Sequence, residues 1–184
     1  MPPAGPDPSG TAGSPAAREP AAASTAHLVR EVTSPPYVVR QATSADLQAL
    51  TTLRAAWGAA QGRIPGEGDD LGERLRRWWE RQGGLRAAWL AMEGLRPVGM
   101  VTLAVFERMP HQGAPDARWA YLANLWVEPD RRRRGVGSTL VTAAVDWARA
   151  QGMERIVLNP SEMSRPLYEA LGFRPADALV RLDL

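Results

Sequence analysis

The chain has no cysteine and no lysine. Without cysteine there can be no disulfide, no thiolate metal site and no cysteine nucleophile. Histidine is almost as scarce. Only His27 and His111 occur, far apart in the chain, so no metal centre is expected. Long apolar runs are missing too. None approaches the roughly 18 residues that a membrane-spanning helix needs, and a membrane partner is not expected. Charge is close to balanced, with 22 basic against 20 acidic residues and a net charge of +2. Every basic side chain is an arginine. The pI near 9.6 therefore reflects the high guanidinium pKa more than any excess of positive charge, and nucleic acid is not the expected main partner.

What is present is enough for one domain. At 184 residues and 45% hydrophobic content, with seven tryptophans, the chain can bury a core of real size. Residues 1–36 stand apart. They are rich in Pro, Ala, Gly and Ser, show no apolar period, and hold too little bulky side chain to offset the entropy of ordering. They lack the basic start and apolar stretch of a signal peptide. A disordered tail is expected over 1–36, with a folded domain over 37–184.

Within the domain, Tyr37–Arg40 reads as a strand. Thr43 or Ser44 is placed to cap a helix with Asp46 in its first turn, and Leu47, Leu50, Leu53 and Trp57 recur at helical spacing. Gly58–Gly72 reads as a loop. A second helix runs through Leu75, Trp78 and Trp79 to Gln82. Strands are expected over Ala87–Glu93, Val98–Phe106 and Trp119–Val127. If the last is regular, Tyr121, Ala123, Leu125 and Val127 share one face, and Asn124, Trp126 and Glu128 the other. A helix follows from about Val136 to Gln151, with Leu140, Val141, Ala144, Val145 and Ala148 as its buried stripe. A short strand over Ile156–Leu158, a short helix over Met163–Ala170 and a last strand over about Leu179–Asp183 complete the order. The pattern is α+β with a mixed, mostly antiparallel sheet.

The chemistry is concentrated where a strand meets that helix, at Val127-Glu128-Pro129-Asp130-Arg131-Arg132-Arg133-Arg134-Gly135-Val136-Gly137-Ser138. The first N–H groups of a helix have no intrahelical partner, and the helix dipole places partial positive charge there. Glycines allow close approach of a ligand. Arginines add forked donors that match phosphate oxygens. Together these make a phosphate site at a helix start. It is not a P-loop, which needs a lysine after its second glycine. Nor is it a Rossmann loop, because the third glycine is missing at the wider spacing and the next strand ends in Leu158-Asn159 rather than an acid.

The run Arg132-Arg133-Arg134-Gly135-Val136-Gly137 after Val127-Glu128-Pro129 resembles the acetyl-CoA loop of the GNAT acetyltransferases. A second segment, Leu167-Tyr168-Glu169-Ala170-Leu171-Gly172-Phe173, resembles the helix that packs beside the cofactor thiol in that family. The order of elements from Tyr37 onward is similar as well. The resemblance implies a central sheet of about six or seven strands flanked by helices, and an acetyl-CoA-dependent N-acetyltransferase of cytoplasmic and bacterial character. The lack of Lys beside abundant Arg and Ala also suggests a GC-rich genome. No metal is implied.

For cofactor contacts, the resemblance implies Leu125, Trp126 and Val127 on the strand, and Arg132, Arg133, Arg134, Gly135, Val136, Gly137 and Ser138 on the loop. Arg131 is expected to be solvated. Many family members carry an Asn seven residues before the tyrosine, to hold the pantetheine arm. Here that position is Ser161, with Asn159 nearby, and both are carried as candidates. Tyr168 is the implied general acid for the departing thiolate. A thiol with a pKa of about 8.5 leaves, and a phenol of pKa about 10 can protonate it while remaining neutral at pH 7. Backbone N–H groups near Trp126-Val127 are candidates for the oxyanion. Some family members place a Glu base where this chain has Tyr121, so a water relay is expected to take the amine's proton.

The acceptor that the resemblance implies is a primary amine of a small molecule or peptide, and no motif specifies it. Asn124, Trp78 and Asp70 are candidate substrate contacts. Glu67, Asp69 and Asp70 would attract a cationic amine, unless they form an ordinary solvated loop with a helix cap. Homodimers are common in the family, though the sequence shows none. Two alternatives remain: a CoA-binding sensor of the same fold without turnover, and a basic nucleic-acid adaptor.

Overall fold

The computed structural model describes residues 36–176 and 179–183. The expectation of a disordered N-terminal tail therefore falls almost wholly outside the described residues. Strand β1 (Val38–Gln41) leads into a single 3-10 turn over Ser44–Asp46. That turn starts with a capping box, in which Thr43 Oγ1 accepts from the Ala45 N–H at 3.3 Å and Asp46 Oδ2 accepts from the Thr43 N–H at 2.8 Å. Such boxes satisfy amides that a helix start leaves unpaired. Helix α1 (Leu47–Ala60) follows directly, with Leu50 and Leu53 buried. Gly58 lies inside this helix rather than ending it. Helix α2 (Leu71–Gln82) is capped by Asp70, whose carboxylate accepts from the Glu73 N–H at 2.9 Å.

Strands β2 (Arg86–Glu93) and β3 (Arg96–Glu107) form a hairpin through the two-residue turn Gly94-Leu95, with Gly94 at φ 56°. Strand β4 (Arg118–Val127) follows, then α3 (Val136–Ala150), the two-residue β5 (Ile156–Val157) and α4 (Arg165–Ala170). The sheet order is β1-β2-β3-β4-β5. Every pair is antiparallel except β4-β5, which is parallel.

Two apolar layers enclose the sheet. On one side Ala87, Trp89, Val101, Leu103, Ala120 and Leu122 pack with Leu140, Val141 and Ala144 of α3. On the other, Ala88, Leu90, Met100 and Trp126 pack with Leu50 and Leu53 of α1. β2 is covered on both faces, which explains its nearly unbroken apolar run. Gly99 sits where α3 crosses β3. A Cβ there would lie 3.0 Å from Leu140 Cδ1, 3.1 Å from the Trp126 carbonyl oxygen and 3.2 Å from Val136 Cγ1. Only glycine lets the start of α3 approach so closely.

Among the described residues the sheet has five strands rather than the expected six or seven, and residues 179–183 form no strand. Leu179, Val180 and Leu182 are exposed. A strand needs a partner ladder. β5 meets β4 only at Ala120/Ile156 and Tyr121/Val157. Among the described residues, no helix is long and apolar enough to cross a membrane.

Candidate active site

The expected alternation along β4 is broken. Thr102 pairs with Ala123, and two residues further on Met100 pairs with Trp126, so β4 carries one extra residue. Asn124 takes up the excess with φ 56°. This is a β-bulge, which re-aims the side chains beyond it. Ala120 and Leu122 before the bulge, and Leu125 and Val127 after it, all face α3. Asn124 and Trp126 face α1. The shared face expected for Tyr121, Ala123, Leu125 and Val127 therefore does not form.

The bulge lies where β4 loses its partner. Pairing with β5 stops at Tyr121, and residues 122–127 have no partner in β5. The end of β4, the start of α3 and α4 then converge. A Cβ at Gly137 would lie 3.5 Å from Leu167 Cδ2 and 3.8 Å from Val127 Cγ2.

The turn into α3 is built to leave amides free. Gly135 is its N-cap at φ 83°, with no side-chain cap. The first intrahelical bond runs from the Thr139 N–H to the Gly135 carbonyl at 3.0 Å, so the Val136, Gly137 and Ser138 amides precede the helix ladder. Arg133 is also left-handed, at φ 59°. The residues present fit a diphosphate here: uncapped helix amides beside an arginine turn.

Tyr37 fastens this turn. Its hydroxyl lies 3.1 Å from Thr139 Oγ1 and 3.5 Å from the Arg134 carbonyl oxygen, and Thr139 Oγ1 donates to the Gly135 carbonyl at 3.1 Å. A tyrosine opening a first strand gave no sign of this role in the sequence.

The four arginines differ in what they touch. Arg132 Nε donates to the Val127 carbonyl at 3.0 Å, and its guanidinium lies 4.7 Å from the centre of the Trp126 ring. Arg133 and Arg134 are exposed. Arg131, expected in solvent, is instead paired with Glu93 at 2.6 Å and with Asp130 at 2.8 Å. Arg96 also grips Asp130 at 3.1 Å. The β2-β3 hairpin brings Glu93 back to the turn, a contact between residues remote in sequence. Hydrogen bonding to Arg131 holds the Glu93 carboxyl below its ordinary pKa.

Tyr168 is buried on α4, edge-on to Phe173 with ring centres 5.5 Å apart. Burial, helped by the neighbouring Tyr121, pushes its phenol up to about 12. Such a group is wholly protonated at neutral pH. Ser161 caps the turn before α4: its Oγ lies 2.9 Å from Ser164 Oγ and 3.3 Å from the Ser164 amide. Asn159 is exposed at the end of β5. Trp126 is buried against Trp57, with ring centres 6.1 Å apart, so what it can offer a ligand in the β4-β5 opening is backbone.

On the α1 side of β4 a cavity of about 660 Å³ lies between α1, α2 and the sheet. Asn124 lines it, donating to Thr102 Oγ1 at 2.9 Å and accepting from Arg54 Nη1 at 3.1 Å. Trp78 lines it too, edge-on to Trp79. Asp70 does not. Its carboxylate is committed to the helix cap, while Asp69 pairs with Arg74 at 2.5 Å and Glu67 is exposed. Sequence reasoning overlooked Arg54, Arg74, Arg77 and Arg81 in the cavity wall. For the last three, the helical spacing along α2 was the available signal. Among the described residues, no group of three or more His, Cys, Asp or Glu is placed to hold a metal.

The profile of the acetyltransferase (GNAT) family matches residues 50–173. A glucosamine 6-phosphate N-acetyltransferase from Trypanosoma brucei brucei is 36% identical over 64 residues, 35% of this chain. That match spans 44% of the relative's length, under half of it. Among solved structures, a GCN5-related N-acetyltransferase from Ralstonia eutropha is 27% identical. It has a TM-score of 0.61, and the match covers 80% of this chain and 98% of that one. A predicted acetyltransferase from Clostridium acetobutylicum, solved with acetyl-CoA, shares the fold at a TM-score of 0.65. It is 23% identical, with 80% of this chain and 96% of that one covered.

Proposed function

The chain belongs to the acetyltransferase (GNAT) family, and from that membership we propose that it is an acetyl-CoA-dependent N-acetyltransferase acting on a primary amine of a small molecule or peptide. One observation carries the reading. The uncapped amides of α3 follow the arginine turn, and α4, which carries the buried Tyr168, reaches Gly137 through Leu167 beside a strand that has lost its partner. The relative's name gives a small-molecule amine as acceptor, which supports the same class here.

Acetyl-CoA supplies the activated acyl group. The Val136, Gly137 and Ser138 amides, with Arg133 and Arg134, bind its diphosphate, while Arg132 holds the turn against Val127 and Trp126. Leu125, Trp126 and Val127 offer backbone to the pantetheine arm, and Asn159 and Ser161 flank it. This anchoring aims the thioester, and such positioning removes much of the entropic barrier. The acceptor enters from the Asn124 side, with Trp78 as a wall. Its nitrogen lone pair attacks the thioester carbonyl carbon. The new C–N bond forms as the carbonyl oxygen becomes an oxyanion, held by unpaired backbone N–H groups near Trp126-Val127. The C–S bond then breaks. Tyr168 gives its phenolic proton to the sulfur, and water takes the proton from nitrogen. No carboxylate base is required if the amine arrives neutral.

The test is titration with acetyl-CoA followed by thiol release over a panel of amines. Micromolar binding with release is expected. Binding without release on any amine would favour a CoA sensor of the same fold, and no binding would sink the phosphate-loop assignment.

A further inference from the structure

The cavity on the α1 side of β4 is walled by arginine. Arg54 of α1 and Arg74, Arg77 and Arg81 of α2 line it, and no Asp or Glu does. Positions 74, 77, 78 and 81 recur at helical spacing, so one face of α2 presents three guanidinium groups around Trp78. The helix's own carboxylates are engaged away from this face. Glu73 and Glu80 both pair with Arg76, and Glu73 reaches only to 3.9 Å from Arg77. Arg74 is neutralised by Asp69. Among the described residues, Arg54 and Arg81 pair with no carboxylate.

Arg54 is the most telling of them. It is partly buried, stacked 4.8 Å over Trp57 and tied to Asn124. Desolvation and the like charge of Arg63 hold its pKa below the ordinary value. A desolvated cation beside another cation and without a counter-ion is costly. A bound anion relieves that cost. The volume suits a small molecule rather than a polymer.

We propose that the acceptor is a small amine that also carries an anionic group, a phosphate or carboxylate. Arg54, Arg77 and Arg81 hold the anion, and Asn124 meets the amine end. The inference rests on the transfer reading above for the role of this cavity, and it runs against the cationic acceptor that the acidic loop suggested. It also accounts for the missing base. A guanidinium wall disfavours an ammonium ion through like charge, so the amine is presented neutral and its proton leaves to water.

The test compares matched pairs by calorimetry on CoA-saturated protein and by thiol release with acetyl-CoA. The pairs are phosphoethanolamine and ethanolamine, a hexosamine phosphate and its unphosphorylated parent, and β-alanine and β-alaninamide. The last pair separates carboxylate from phosphate recognition. At least one anionic member should bind about tenfold or more tightly than its partner, the scale of one charged hydrogen bond. Arg54→Gln and Arg81→Gln should each erase most of that difference while leaving acetyl-CoA affinity unchanged, which also shows that the variants fold. Equal binding within every pair, preference for the uncharged member, or variants that keep the discrimination would each overturn the inference. So would failure of every anionic amine to bind. The transfer reading fails separately, through loss of acetyl-CoA binding or of thiol release.

Discussion

Tyr168 and Tyr37 place the same functional group in different settings. Burial pushes the Tyr168 phenol up to about 12, so on the proposed mechanism it keeps its proton throughout the range in which amines become neutral. Tyr168→Phe should lower kcat by about 10²-fold, the lower end for a lost general acid, with acetyl-CoA affinity within about twofold of the parent. An equal fall in affinity would make Tyr168 a packing residue. Its folded-state pKa is raised, so its contribution to stability is complete below pH ~10 and is lost as the pH climbs toward 12. The alkaline limb of activity should therefore not reflect Tyr168 below pH ~10. Tyr37 only fastens the α3 turn, through Thr139 and Arg134. Tyr37→Phe removes about 1 kcal/mol of hydrogen bonding. It should weaken acetyl-CoA binding about fivefold and leave kcat at saturation unchanged.

At the scale of elements, the start of α3 is positioned by a hole in β3. Gly99→Ala would press a methyl group against Leu140, Val136 and the Trp126 carbonyl. It should cost about 1–3 kcal/mol, as overpacking does, and weaken acetyl-CoA binding through the displaced helix. Unfolding in urea and titration would show both effects, and a neutral substitution would mean that the crossing relaxes freely. The start of α1 depends on pH. Hydrogen bonds from Arg40, and secondarily from Thr43, hold the Asp46 carboxyl well below the usual range. A lowered folded-state pKa adds stability that is present above the ordinary value of about 3.9 and lost as pH falls below it. Asp46→Asn should cost about 1 kcal/mol at pH 7, and the cost should shrink progressively as pH falls below about 3.9 toward the much lower folded-state pKa. The helices, strands β1–β4 and the glycine turn were legible because periodicity and caps are local signals. Three features were not. The bulge at Asn124 depends on how β3 and β4 pair. The Glu93–Arg131 contact is made by a hairpin. The missing last strand depends on an edge that β5 is too short to offer.

At the scale of the whole molecule, two groups of positive charge lie along β4. One, the Arg132–Arg134 turn with the α3 amides, was visible in sequence because its residues are contiguous. The other, the wall of Arg54, Arg74, Arg77 and Arg81, was hidden because Arg54 comes from α1 and the rest share α2 with Glu73 and Glu80. On the proposed function the first would take a diphosphate and the second an acceptor anion, with the two substrates meeting at the bulged strand. The central claim is that the α3 turn grips acetyl-CoA. Calorimetric titration of the parent protein and of Gly135→Asp with acetyl-CoA tests it most directly, with Gly135→Ala as control for the cost of a side chain at φ 83°. The account predicts micromolar binding by the parent, modest weakening in the alanine variant, and no measurable binding once a carboxylate faces the diphosphate. Undiminished binding by a folded Gly135→Asp protein would contradict it.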